Sequence, residues 1–240
     1  MNQKTPLCFD DIKSVVDTYV GDIRAKQINR EKAWEICYSQ FYHARQQNSC
    51  DYDYLSLHLS SYLACWGMFR NSFLLNTNYK IHIEPVSLIM QSEYDSLCGI
   101  RCSDYAGEMS KLEKLIVGLK DIYTSSREEI YEIAERKIPY CDISDTLVSK
   151  VLLGTLACVP AYDRYGVTGM SIDKISPIKL SIESIKSIIR CFENTEFDKL
   201  EVSYADESVK IPYPQMKIVD MYYFAKGNQK EHNKELMKAL

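Results

Sequence analysis

The residue best suited to chemistry is Asp163, which ends the turn Pro160-Ala161-Tyr162-Asp163 after a mostly apolar segment. The proline fixes the direction in which the chain leaves that segment, so the carboxylate is presented just beyond a helix end. A carboxylate held there can act as a general base or stabilise positive charge. It can equally cap the next helix or pair with Arg164. We predict Asp163 as the catalytic candidate, with a turn residue as the alternative.

Two polar residues, Arg70 and Asn71, interrupt an otherwise apolar stretch from Leu55 to Phe73. A buried guanidinium must find an anion, which Asp163, Asp220 or a bound phosphate could supply. We predict Arg70 and Asn71 as binding residues. The alternative is an arginine that lies at a helix edge and reaches solvent.

A third candidate is the pair Lys217 and Asp220, which lie three residues apart after Pro214. The spacing places both side chains on one face of a helix, where such a pair is usually a surface salt bridge. Only proximity to Asp163 would make the pair part of a binding site.

Metal and cofactor sites have less support. Cys98 and Cys102 are spaced closely enough to bind one metal ion, but no second pair stands at ligand spacing and buried free cysteine is common. The sequence has no glycine-rich phosphate loop, no nucleophile elbow and no His-Glu-x-x-His helix. We predict no cofactor and no metal, with a metal at the two cysteines as the open alternative.

Apolar residues at three- and four-residue steps predict about nine helices that would position these candidates. The expected ranges are about 12–23, 29–45, 54–75, 86–99, 105–123, 126–134, 144–158, 181–192 and a last helix from Pro214. The third and the seventh are mostly apolar, which is typical of central, buried helices. Residues 160–177 contain two glycines between bounding prolines and are predicted as an irregular connection. The tail after Gly227 is predicted as frayed or as a short surface helix.

The predicted fold is all-α, an irregular array formed by one domain of 240 residues or by two lobes of about 1–137 and 138–240 with a cleft between them. Apolar residues make up 46% of the chain and charged residues 26%, as in globular domains. No apolar run approaches the roughly 18 residues that span a bilayer, and the first residues lack the apolar core of a signal peptide. We therefore expect no membrane association.

The nine cysteines are odd in number and scattered, which indicates reduced thiols and a cytoplasmic protein. The net charge of −4 provides no global attraction to nucleic acid, so a DNA site would have to be a local basic patch. The 18 tyrosines offer apolar faces with a hydroxyl group, which suit protein interfaces or stacking with bases.

The segments Ser149-Lys150-Val151-Leu152-Leu153 and Pro160-Ala161-Tyr162-Asp163 resemble part of the helix-hairpin-helix DNA glycosylase superfamily, over about residues 138–165. The resemblance implies that Asp163 assists the departure of a damaged base by stabilising positive charge on the sugar. Residues 138–143 contain none of the glycines that bring the family's hairpin close to a DNA phosphate. Asp145 stands near the position of the family's lysine nucleophile. A monofunctional, divergent or inactive relative is therefore implied.

We predict a DNA-associated protein with a local basic cleft beside Asp163, in which Lys150, Tyr162, Arg164 and Tyr165 contribute to binding. The alternative is a non-enzymatic protein-interaction or regulatory subunit of a bacterial operon, whose tyrosines contact a partner protein or a second copy. A positive groove beside Asp163 favours the first function, and an exposed aromatic patch favours the second.

Overall fold

The structure is a computed structural model that describes residues 7–25, 29–47, 50–137, 142–193, 195–205 and 210–239. The described residues contain nine α-helices: α1 (Phe9–Ala25), α2 (Lys32–Gln47), α3 (Tyr52–Cys65), α4 (Ile83–Ile89), α5 (Tyr105–Ile133), α6 (Asp145–Thr155), α7 (Arg164–Ile172), α8 (Ile182–Phe192) and α9 (Gln215–Ala239). Short 3-10 helices span Phe73–Asn76, Tyr79–His82, Ser92–Leu97, Cys102–Asp104 and Phe197–Lys199. One antiparallel hairpin pairs β1 (Ser203–Ala205) with β2 (Lys210–Pro212). The predicted all-α class is confirmed. None of the described helices has both the length and the apolarity needed to cross a lipid bilayer.

The centre of the fold is α6. Every residue from Leu147 to Thr155 is buried, and the helix packs against α2, α3 and α5. Ser144 fixes its start, because the serine hydroxyl accepts a hydrogen bond from the Leu147 N–H at 3.2 Å. A helix that is apolar on all sides is stable only where other elements cover it. One cluster of buried residues extends from Ile12 to Tyr223 and so includes both of the ranges considered as lobes.

The third predicted helix ends at Cys65 and not at Leu75. Gly67 has a left-handed φ of +71°, and the N–H groups of Gly67 and Met68 donate to two carbonyl oxygens of the last helical turn at 2.9 and 3.0 Å. This hydrogen-bond pattern terminates a helix, and glycine adopts the left-handed backbone without steric cost. The predicted helix was too long, and Arg70 lies in a loop.

The helix α5 is a single helix of 29 residues where two helices were predicted. The spacing of Ser126 and Glu129 suggested a capping box, but no glycine or proline interrupts the chain between residues 119 and 133. Buried residues continue at four-residue steps through Leu119, Tyr123 and Arg127. The buried face therefore extends across the expected break and keeps the helix continuous.

Two smaller predictions were also wrong in their bounds. The helix expected over 86–99 is α4 followed by the 3-10 helix Ser92–Leu97, because Gln91 between them is extended, with φ −65° and ψ 138°. The helix expected to reach Cys158 ends at Thr155.

The connection predicted as irregular contains α7, and its glycines serve packing. A Cβ at Gly169 would overlap the carbonyl oxygen of Tyr223 on α9 and lie 2.8 Å from its carbonyl carbon. The helix α9 continues past Gly227 to Ala239. A Cβ at Gly227 would overlap the carbonyl oxygen of Tyr165 on α7 and lie 2.7 Å from its carbonyl carbon. The two helices therefore contact each other through main-chain atoms.

Replacing Gly227 with alanine is expected to lower the free energy of unfolding by about 1–3 kcal/mol, because the added methyl group would overlap the main chain of α7. Gly21→Ala is the matched control, since nothing lies within 4 Å of a Cβ at that position of α1. Alanine is favoured over glycine in a helix interior by roughly 0.5–1 kcal/mol, so the control should be slightly more stable than the parent. Urea denaturation measures both variants, and equal destabilisation by the two would contradict the close packing.

Candidate functional site

Lys150 and Asp163 form an ion pair in the interior of the protein. The Nζ of Lys150 lies 2.7 Å from Oδ2 of Asp163, and the two side chains are 5% and 15% exposed. Oδ1 of Asp163 accepts a hydrogen bond from the Gly166 N–H at 2.9 Å, which caps α7. Asp163 therefore has the helix-capping role that the sequence left open. The expected pairing with Arg164 is wrong, since Arg164 contacts Glu231 at 3.2 Å.

Trp66 connects this ion pair to a cavity. The Nζ of Lys150 lies 4.5 Å from the centroid of the indole ring, and the Cζ of Arg30 lies 5.1 Å from it. Phe224 contacts the same ring edge to face, with centroids 5.6 Å apart. A cation over an aromatic face is attracted by the quadrupole of the ring. Trp66 thus touches the buried lysine and two residues, Arg30 and Phe224, that line the cavity.

This cavity has a volume of about 850 Å³, and we call it the Tyr19 cavity. Its walls combine aromatic, amide and charged side chains: Tyr19, Asp22, Ile23, Asn29, Arg30, Glu31, Phe224 and Asn228. The rings of Tyr19 and Phe224 are in edge contact, with centroids 6.1 Å apart. Nε of Arg30 lies 3.3 Å from Oε1 of Glu31, so part of the acidic charge is offset within the cavity.

Lys217 and Asp220 form a second ion pair, with a distance of 2.9 Å and side chains that are 4% and 11% exposed. The expected surface salt bridge is therefore wrong, because the pair is buried. Oδ1 of Asp220 accepts a hydrogen bond from the Ala161 N–H at 3.0 Å. The Nζ of Lys217 lies 5.0 Å from the centroid of the Trp34 ring. This hydrogen bond connects α9 to the turn that carries Asp163. The pair therefore lies close to Asp163, which was the condition for including it in a binding site.

Burial and negative charge from both ion pairs raise the pKa of the Tyr19 phenol. Burial raises the pKa of the Tyr19 phenol well above its usual value, and the carboxylate of Asp220 raises it further. The carboxylates of Glu31 and Asp163 act in the same direction, while the cation of Arg30 opposes them. The hydroxyl of Tyr19 is therefore protonated at neutral pH and can donate a hydrogen bond to a ligand.

The two tyrosines that flank Asp163 have different surroundings. Tyr162 is buried, its hydroxyl is hydrogen-bonded to Ser184 Oγ at 2.7 Å, and its N–H donates to Ser149 Oγ at 2.8 Å. Tyr162 therefore anchors the turn in the core instead of facing a ligand. Tyr165 is half-buried and packs edge to face on Phe224, with centroids 5.2 Å apart, next to the Tyr19 cavity.

Arg70 and Asn71 are not among the residues that line the Tyr19 cavity. Both are exposed, so the alternative that Arg70 reaches solvent is the correct one. They line a second cavity of about 540 Å³, which we call the Arg70 cavity, together with Gly67, Met68, Ser72, Phe73, Arg127, Tyr131, Asp142, Ile143, Ser144 and Leu147. Neither Asp163 nor Asp220 is among these lining residues, so the structure separates Arg70 from both carboxylates.

Cys98 and Cys102 are half-buried and pack against the core. Among the described residues, no group of three or more His, Cys, Asp or Glu is arranged to hold a metal ion. The Sγ of Cys98 lies 3.9 Å from the hydroxyl of Tyr38. Burial raises the pKa of the Cys102 thiol to about 12. A thiol that stays protonated is a poor nucleophile and a poor metal ligand.

No family model matches the chain. No curated protein and no solved structure matches it either. The resemblance of residues 138–165 to glycosylases stays a prediction, and residues 138–141 of that range lie outside the described residues.

Three of the predicted residues, Lys150, Asp163 and Asp220, are brought together around one turn. The aromatic residues beside them, Tyr19 and Trp66, were missed. Each lies on a separate element whose own periodicity does not reveal its partners, and the helix predicted over 54–75 places Trp66 in a helix interior. The one available signal was the glycine after Trp66, which ends α3 and leaves the indole ring at a helix end.

Asp163→Asn is expected to lower the free energy of unfolding by about 3–5 kcal/mol, because the ammonium of Lys150 would stay buried without a counter-ion. Asparagine keeps an acceptor oxygen for the Gly166 N–H, so loss of the helix cap does not contribute. Guanidinium chloride denaturation measures the change.

Asp17→Asn is the matched control, since it removes a carboxylate from the exposed pair with Lys13 on α1 and should cost less than about 1 kcal/mol. Combining Asp163→Asn with Lys150→Met should cost less than the sum of the two single variants, because the double variant leaves no unpaired charge. Additive effects would show that Lys150 and Asp163 do not interact directly.

Proposed function

We propose that this chain is a DNA-associated protein that binds an unstacked base in the Tyr19 cavity, with the Lys150–Asp163 pair beside that base. The observation that supports this function most directly is the position of Trp66. Its ring contacts Lys150 of the ion pair, and it also contacts Arg30 and Phe224 of the cavity. The ring of Trp66 thereby links the ion pair to the cavity. The lining has two carboxylates and one guanidinium and does not include Asp163, so it is not the basic cleft that was predicted beside Asp163.

The lining of the Tyr19 cavity suits a nucleobase. Bases stack on aromatic faces, and the half-buried ring of Tyr19 is the one proposed for this role, because Phe224 is buried and already contacts three aromatic rings. The amides of Asn29 and Asn228 can donate to and accept from the edge of a base. Oδ1 of Asn29 already accepts from the Glu31 N–H at 3.1 Å, so its NH2 group is the part that remains for a ligand. The volume of about 850 Å³ lies within the range of small-molecule sites.

The carboxylates of the cavity indicate which bases fit best. Asp22 and Glu31 can accept hydrogen bonds from exocyclic amino groups, which cytosine, adenine and guanine carry and thymine lacks. The same carboxylates repel a phosphate, so the sugar–phosphate backbone is not expected to enter this cavity. The proposed ligand is therefore an amino-bearing base.

Asp163 is proposed to stabilise positive charge on the sugar if the base is excised. Lys150 and the Gly166 N–H each bond one of its two oxygens, which holds the carboxylate in one orientation. The charge of Lys150 also offsets that of Asp163, so the help given to a cationic sugar is smaller than a lone carboxylate would give. Base binding is therefore the primary activity proposed, and excision is the second.

Asn228→Ala is expected to weaken binding to a DNA duplex with an unpaired cytosine by about 5–10-fold, because hydrogen bonds worth roughly 1 kcal/mol each are lost. Asn233→Ala is the matched control, since Asn233 is exposed on the same helix but does not line the cavity. Fluorescence anisotropy measures both variants against duplexes that carry cytosine or thymine at the unpaired position. Equal affinity of the parent for the two duplexes would rule out recognition of the amino group.

The same duplexes test excision, because removal of a base leaves an alkali-cleavable strand. If Asp163 acts on the sugar, the parent converts the duplex and Asp163→Asn does not, at a temperature where both are folded. Binding that depends on the base, without cleavage by the parent, would restrict the function to recognition.

A second proposal is a non-enzymatic protein-interaction role. Large apolar side chains on α2 and α3 are exposed, with Ile36 at 55%, Tyr54 at 47% and Leu57 at 50%. The hydroxyl of Tyr54 donates to Gln40 on α2 at 3.2 Å, so the two helices share this surface.

Sedimentation velocity separates the two functions. Self-association that Leu57→Lys abolishes would favour this second role, and a monomer that binds DNA would favour the first.

A further inference from the structure

The Arg70 cavity carries more cationic than acidic side chains. Arg70 lines it from the loop after α3, and Arg127 lines it from α5, whereas Asp142 is the one carboxylate among its described lining residues. Arg127 is 7% exposed, so one of the cations is held inside the protein. The guanidinium of Arg70 makes no hydrogen bond or ion pair with any residue that the structure describes. This guanidinium is therefore available to an anionic ligand.

The backbone fixes the loop that carries Arg70. Both Gly67 and Asn71 are left-handed, with φ of +71° and +55°. The Arg70 N–H donates to the Gly67 carbonyl oxygen at 3.1 Å, and Ser72 Oγ accepts from the Leu74 N–H at 3.3 Å. Glycine and asparagine are the residues that tolerate this backbone best. The loop is thus held by its own main-chain bonds, and the side chain of Arg70 is not needed to form it.

Hydroxyl groups add neutral donors to the cavity. Ser72, Tyr131 and Ser144 all line it. The oxygens of Ser72 and Ser144 each accept a backbone hydrogen bond, so their hydrogen atoms remain free to donate to a ligand. The planar fork of an arginine matches the oxygens of a phosphate. These donors together favour an oxyanion as the ligand.

Two residues that line the Arg70 cavity are close along the chain to residues of the site described above. Gly67 of its lining directly follows Trp66, the residue that contacts both Lys150 and the Tyr19 cavity. Leu147 of its lining lies one helical turn before Lys150 on α6, so these two side chains share a face of the helix. The chain neighbours of Trp66 and Lys150 therefore line the Arg70 cavity, while the ring of Trp66 contacts residues of the Tyr19 cavity.

We propose that the Arg70 cavity binds a phosphate group and that Arg70 is its principal binding residue. The source of this phosphate rests on the proposed function: it is a backbone phosphate of the strand whose base enters the Tyr19 cavity. A free phosphate-bearing molecule presents the same chemistry, so the experiment has one arm for each source.

The first arm uses inorganic phosphate alone. Exchanging chloride for phosphate at constant ionic strength is expected to raise the Tm of the parent, because a ligand that binds only the folded state stabilises it. Arg70→Ala is expected to lose this rise. Arg190→Ala is the matched control and should keep it, since Arg190 is an exposed arginine of α8 that does not line the cavity.

The second arm measures the affinity for DNA over a salt series from about 50 to 200 mM. Arg70→Ala is expected to lower the slope of log affinity against log salt by about 0.7–0.9, which is the contribution of one phosphate contact. The loss should be equal for duplexes with cytosine or thymine at the unpaired position. Asn228→Ala should weaken binding to the cytosine duplex and leave the slope unchanged.

Two of the outcomes distinguish the two sources of phosphate, and a third overturns the inference. Loss of both the phosphate response and the salt slope in Arg70→Ala supports a backbone phosphate. Loss of the phosphate response alone, with no DNA binding by the parent, supports the phosphate site with a free ligand and counts against the proposed function. An unchanged phosphate response and an unchanged slope in Arg70→Ala overturn the inference, even where the parent binds DNA through the Tyr19 cavity.

Discussion

A positive charge in the most buried helix is the constraint on which the arrangement depends. Lys150 lies on α6, whose residues from Leu147 to Thr155 are all buried, and an ammonium there is costly unless an anion pairs with it. Asp163 meets it at 2.7 Å from the residue that caps α7, and the ring of Trp66 meets it from the end of α3. The ammonium on α6 contacts both the start of α7 and the end of α3. These three elements therefore cannot shift independently of each other.

The pair of Lys217 and Asp220 secures the same turn from α9, through the bond from the Ala161 N–H. A buried ion pair adds little net stability over apolar side chains of equal volume, but losing one partner is costly. We interpret both pairs as interactions that fix position more than they add stability. The main-chain contacts at Gly169 and Gly227 serve the same end, since they leave α7 and α9 no room to slide.

The parts of this fold that could be predicted are those where the local sequence leaves little choice. An apolar segment such as α6 must be buried whatever surrounds it, so its central position followed from the sequence. The helix α7 could not be predicted, because Gly166 and Gly169 disfavour a helix locally and only contact with neighbouring main chain explains them. Similarly, the spacing of Lys217 and Asp220 specifies that they pair but not that they are buried. Trp66 could not be assigned to a site, since its contacts come from α6 and α9 and from Arg30, before α2.

The net charge of −4 is a poor guide to whether this chain binds DNA, because the two cavities differ in sign. Among the described lining residues, the Tyr19 cavity has two carboxylates and one guanidinium, and the Arg70 cavity has two guanidinium groups and one carboxylate. Charges are screened over about 8–10 Å at physiological salt, so a bound strand responds to the nearest groups more than to the whole chain. A base with amino groups suits the acidic cavity, whereas a phosphate suits only the basic one. In the proposed function, the separation of these charges into two cavities is what distinguishes a base from the backbone that carries it.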